Sequence, residues 1–218
     1  MRPGSLYQNV RAANIFLFAA GLALMLDVSV ASALSRVDQI PHWDSDDRAL
    51  VVVDKTGDRS WNEATRHAVD ALNQAAPGTG LRLTWTSGTG PCTISGNRIE
   101  ICQEPYQALG DDMALDREGL TDLRLGPDRK QAHIGGTSII VCSNCGLQAP
   151  RRRIVATHEL GHALGLEHNR RLSSLMFPSG GTDKPDEQDV QALRDLYAHA
   201  DAEDRCGFFD VVVGPFCL

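Results

Sequence analysis

The chain has 218 residues, 42% of them hydrophobic, and a formal net charge of −7. The acidic balance argues against nucleic acid or an anionic membrane as a partner, and the length suits one compact domain with a substantial core. Six cysteines, an even count, point to disulfides in an exported chain.

The first segment reads as a leader. Arg2 and Arg11 give a positive start, an apolar run spans Ile15 to Leu26, and Ala31-Ser32-Ala33 is a small-residue cleavage site. The run is shorter than the roughly 20 apolar residues a membrane span needs. Residues 1–33 are therefore expected to be a signal peptide. Residues 34–218 are expected to form a single secreted domain with no stable membrane insertion.

Residues 34–48 are polar and irregular and read as a surface lead-in. Ala49 to Asp54 is a continuous β-branched run that predicts a buried strand. Ser60-x-x-Glu63 predicts a capping box, and Trp61, Ala64, Ala68, Leu72 and Ala75 recur at helical spacing up to Pro77-Gly78. His67 lies off that stripe and reads as a surface histidine. Leu81 to Trp85 alternates as a half-buried strand. Cys92 to Cys102 reads as a small hairpin closed by its own bridge, with Gly96-Asn97 as its turn.

Between 104 and 130, acids interleave with Arg117, Arg124, Arg129 and Lys130, which predicts a solvated loop. Asp111, Asp112, Asp116, Glu118, Asp122 and Asp128 could include ligands for a Ca2+ ion, although their spacing is not that of an EF-hand. His133 to Cys142 predicts a strand whose glycines allow a bulge or a close backbone approach. His133 has no clear partners for a second metal. Cys142-x-x-Cys145 lacks a thioredoxin-like context or a second such pair. Nearest neighbours suggest the bridges Cys92–Cys102, Cys142–Cys145 and Cys206–Cys217, although sequence alone leaves the pairing open.

Pro150 suits the first turn of a helix with Ile154, Val155, Leu160, Ala163 and Leu164 on its apolar side. A last helix opens near Pro185, with Val190, Leu193, Leu196 and Tyr197 facing the core. The tail from Cys206 to Cys217 is apolar.

The chemistry concentrates in His158-Glu159-Leu160-Gly161-His162-Ala163-Leu164-Gly165-Leu166-Glu167-His168. His158 and His162, four apart, share one face of a helix. Gly165 can take the left-handed conformation that ends the helix and brings His168 back as a third ligand. Three neutral imidazoles suit a catalytic Zn2+ ion, which keeps a position for water. Glu159 stands where a general base is needed to take a proton from a zinc-bound water and hand it to a leaving amine. The alternative is a secreted zinc-containing binding module without proteolytic activity.

At these residues the sequence resembles the metzincin zinc peptidases. Ser174-Leu175-Met176-Phe177-Pro178 looks like their Met-turn, with Met176 as an apolar floor beneath the metal, and Pro178 points to the matrixin branch. Pro185 to Tyr197 is similar to the C-terminal helix of matrixin catalytic domains. The resemblance implies an α+β, zincin-like fold: a twisted, mostly parallel sheet with one antiparallel edge strand, packed with an active-site helix and a C-terminal helix. It further implies a zinc endopeptidase acting on proteins or peptides. Ile139-Ile140-Val141 would lie in the edge strand that binds substrate backbone. Pro178, with the loop after it, would wall the pocket on the primed side. No cysteine-switch segment, second-zinc ligand set or hemopexin-like domain is recognisable, so the expectation is a minimal, monomeric matrixin-like protease.

Overall fold

A computed structural model of the chain describes residues 40–106, 118–126 and 133–198, together with the backbone of 212–213 and 216–217. The expected leader and the Cys206–Cys217 bridge lie outside the described residues. The Cys92–Cys102 and Cys142–Cys145 disulfides are formed as expected.

The buried run of Val and Leu residues forms β1 (Ala49–Asp54), an interior strand of a five-stranded sheet. The helix after it, α1 (Arg59–Ala75), opens at Asp58 rather than at Ser60. The Asp58 carboxylate accepts from the Ser60 and Trp61 backbone N–H groups, so the stronger cap two residues upstream wins. The expected apolar stripe on α1 is buried. Then come β2 (Arg82–Ser87) and β3 (Arg98–Glu104).

The segment from Cys92 to Cys102 is not a hairpin. β3 pairs in parallel with β1 on one side and with β5 (Ile134–Cys142) on the other. The disulfide instead fastens an irregular loop to β3, helped by Glu100, which accepts from the Thr93 N–H at 2.6 Å and pairs with Lys55 at 2.7 Å.

The stretch expected to be a solvated loop contains β4 (Gly119–Leu125), antiparallel to β5 and at the open edge. The strand order is β2-β1-β3-β5-β4, so β5 is interior and the edge expected at Ile139-Ile140-Val141 lies one strand further out. Physical sense supports this: β5 is a near-continuous buried run, as a strand covered on both faces must be. The close approach expected at its glycines is present. A Cβ on Gly135 would stand 3.0 Å from Gly126 Cα, beside a register shift at Arg124 and Leu125.

Two further helices complete the fold. Helix α2 (Ala149–Ala163) packs against α1, β4 and β5, and α3 (Glu187–Tyr197) starts at a capping box made by Asp186 and Asp189. Arg151, Arg152 and Arg153 fasten α2 to its surroundings through Glu118, Asp58 and Asp183 respectively. A short ribbon pairs β6 (Val212–Val213) with β7 (Phe216–Cys217). No helix among the described residues is long and apolar enough to cross a membrane.

Candidate metal centre

The sequence dictates how α2 ends. Gly165 has φ +90°, its N–H donates to His162 O at 2.8 Å, and the Leu166 N–H donates to Gly161 O at 3.0 Å. This is the paired closure of a Schellman motif, which requires a left-handed residue at the position Gly165 fills. Two remaining carbonyls at the helix end are met by buried aromatic side chains. Trp43 Nε1–H donates to Ala163 O and the Tyr197 hydroxyl donates to Leu164 O, each at 2.8 Å. Residues 41–43 are thus no surface lead-in. Trp43 is fully buried, and Pro41 packs against Gly165.

That turn returns His168 to the face carrying His158 and His162. His168 Nε2 lies 3.1 Å from Nε2 of each of the other two rings. His158 Nδ1 is 2.8 Å from Leu175 O and His162 Nδ1 is 2.7 Å from Leu166 O. A carbonyl only accepts, so both Nδ1 atoms carry protons and both Nε2 atoms present lone pairs. A proton on His168 Nε2 could point at one of those lone pairs but not at both. A cation satisfies all three rings at once. Tetrahedral zinc with bonds of about 2.0–2.1 Å would separate its nitrogens by about 3.3 Å, close to the observed spacing. Among the described residues these three form the group able to hold a metal ion.

Burial favours the neutral form of all three imidazoles. Burial pushes the His162 imidazolium down to about 4, with the neighbouring His158 adding to the effect. His158 is lowered by burial, which outweighs the opposing hydrogen bond to Leu175 O, and further by the nearby Arg151 and any charge on His168, and His168 is lowered by burial. The sign for stability follows. In metal-free protein the unfolded chain takes up a proton at His162 below roughly pH 6.5 while the folded chain resists it. Acidification from pH 6.5 to 4 should therefore cost on the order of 3 kcal/mol from this residue, and pH above 6.5 should change nothing through it. Urea midpoints of chelated protein, compared with chelated His162→Asn, check this. Parallel midpoints in the two proteins across that range would refute it.

Met176 lies beneath the helix between the two ligand turns, fully buried, and a Cβ on Gly161 would stand 2.7 Å from its sulfur. The loop carrying it is held by Asp189, a residue to which sequence reading gave no role. Its buried carboxylate accepts from the Ser174 hydroxyl at 2.5 Å and from the Leu175 N–H at 2.7 Å. The Leu175 peptide thus bridges α3 to the His158 ring.

A cavity of about 830 Å³ opens over the histidines. Gly119, Thr121 and Leu123 of β4 form one wall, Ile154 and Val155 the base, and Pro178 to Gly180 the other wall. Pro178 is exposed there. Arg151 closes one end by pairing with Glu118 and donating to Gly180 O at 2.9 Å. Glu159 is 7% exposed and faces the cavity from α2.

The other candidates do not join the centre. His67 pairs with Asp183 at 2.9 Å. His133 stacks edge-on against His42 and lies 3.5 Å from Asp44, away from the three converging rings. Of the acids considered for calcium, Glu118 is engaged by Arg151 and Asp122 lies on the edge strand, while Asp111, Asp112, Asp116 and Asp128 lie outside the described residues.

A parallel-dominated sheet with one antiparallel edge, a helix bearing two histidines and a third returned by a glycine turn together define a metzincin-like fold. The family described as Matrixin matches residues 42–198, and the chain belongs to that family of metalloprotease hydrolases. Human matrix metalloproteinase-26 is 38% identical over 56 residues, a stretch covering 23% of this chain and 22% of that relative's length. Matrixins act on protein substrates and are typically extracellular.

Proposed function

We propose that this chain is a secreted, monomeric zinc endopeptidase, with residues 1–33 as its leader and 34–218 as one catalytic domain. His158, His162 and His168 hold the metal, Glu159 is the general base, Met176 is the floor and Pro178 walls the pocket. The observation that carries the reading is the convergence of three Nε2 atoms, with Glu159 on the same cavity. A zinc ion there supplies Lewis acidity for the scissile carbonyl and acidifies water.

The chain's own residues do the rest. The Glu159 carboxylate takes a proton from the attacking water and delivers it to the leaving amine as the C–N bond breaks. The open edge of β4 receives the substrate backbone. Glu118 O accepts from the Cys142 N–H, so the backbone groups of residues 118, 120 and 122 point to β5. By alternation, those of Gly119, Thr121 and Leu123 point outward. An extended peptide can add there as a further strand.

Purified protein should hold about one zinc per chain, as a site with three protein ligands does. It should cleave an unfolded protein such as reduced casein, and lose both zinc and cleavage to phenanthroline. Zinc restores both. Undiminished cleavage by zinc-free protein would overturn the proposal.

A further inference from the structure

Thr121 lies directly across from Glu159. Its Oγ1 is 2.7 Å from Glu159 Oε2 and 3.0 Å from Glu159 O. A carboxylate and a carbonyl both accept, so the hydroxyl donates to one of them at a time or is shared between them. Gly119, two residues earlier on the same face of β4, makes the room. A Cβ there would stand 2.7 Å from Glu159 Cγ and 2.8 Å from Oε1. Gly119 does not have a positive φ, so its lack of a side chain serves close approach rather than backbone conformation.

We infer that Thr121 is a positioning residue for Glu159, and that Gly119 and Thr121 together form the cradle in which the carboxylate is aimed over the metal-binding rings. The inference rests on the peptidase reading above. Its physical content is that one residue serves two purposes. The Thr121 backbone faces the open edge where a substrate strand would add, while its hydroxyl restrains the base. A rotatable Glu side chain loses orientation when that donor is removed, and general-base catalysis is sensitive to misplacement. Substrate docking uses the backbone and should be insensitive to it.

Thr121→Val keeps the branched shape and removes the hydroxyl, and Thr121→Ser keeps the hydroxyl. With zinc-loaded protein and a fluorogenic peptide, Thr121→Val should lower kcat about tenfold, equivalent to losing one charge-assisted hydrogen bond, with KM within about twofold of wild type. Thr121→Ser should restore kcat to within about threefold. The second readout needs no activity. In protein labelled with 13C at the Glu carboxyls, the Glu159 resonance, assigned by its loss in Glu159→Gln, should move in Thr121→Val and stay near its wild-type position in Thr121→Ser. Wild-type kcat in Thr121→Val, or Thr121→Ser as slow as Thr121→Val, would overturn the inference. If wild-type protein cleaves nothing, the peptidase reading fails separately. The resonance then decides the contact, and an unmoved signal in Thr121→Val would remove it.

Discussion

Replacing Glu159 with Gln should lower kcat by about 10²- to 10⁴-fold, the range a positioned general base contributes, while leaving the metal content intact. The carboxylate is not among the three converging groups that could hold a metal, so a bound ion would have no reason to leave. Gln is the informative substitution because its amide oxygen can still accept from Thr121 Oγ1, which preserves the contact with β4. What it cannot do is take a proton from water. Inductively coupled plasma analysis beside a peptide assay separates the two effects. Loss of zinc along with activity would make Glu159 a structural support. A wild-type protein that binds zinc and cleaves no member of a diverse peptide library would favour a zinc-containing binding module, and Glu159→Gln would then leave its function unchanged.

The second large effect is expected at Gly165. Substituting Ala places a Cβ 2.0 Å from Pro41 O and 3.0 Å from Leu196 Cδ2 in a backbone at φ +90°. A left-handed L-residue costs about 1–2 kcal/mol and overpacking against a fixed neighbour costs about 1–3 kcal/mol more. The sum, roughly 2–5 kcal/mol, is at its upper end the whole margin of a domain with about 5 kcal/mol to spare. Because the turn also returns His168, zinc affinity should fall with stability. Gly165→Asn distinguishes the causes. Asn tolerates the left-handed region but has the same Cβ, so it should be nearly as damaging as Ala. Urea unfolding monitored by tryptophan fluorescence would read the stability of both variants. A stable Gly165→Asn would show that φ alone matters and that the Pro41 contact yields.

The convergence of His158, His162 and His168 was legible in the sequence because it is local. Helical spacing places two histidines on one face, and a single glycine turn returns the third. Helices α1 and α3 were legible for the same reason, from Trp61 to Ala75 and from Val190 to Tyr197. The sheet was less so. Gly119 to Leu125 carries a short alternation, with Leu123 and Leu125 flanking Arg124, bounded by glycines. Its charges pointed to a loop, and nothing local announced its pairing with β5. The supposed hairpin at Cys92 failed similarly, because β3 finds both its partners far away in the chain. Thr121, Gly119 and Asp189 were invisible as functional residues because their roles arise only from what folds against them. The uninterrupted apolar character of Ile139-Ile140-Val141 was a usable sign of an interior strand.

The division of labour between one short stretch and a distant strand has a consequence for how such a protein can change. The three imidazoles that would hold the metal, and the carbonyls of Leu166 and Leu175 that orient two of them, lie between His158 and Met176. The wall that would read a substrate, β4, is contributed by a separate part of the chain. Altering Leu120 or Leu123, which line the cavity, would therefore retune which peptides are accepted while the ion would be held as before. On the proposed reading, affinity for metal and choice of substrate would be separable traits, joined where Thr121 reaches Glu159.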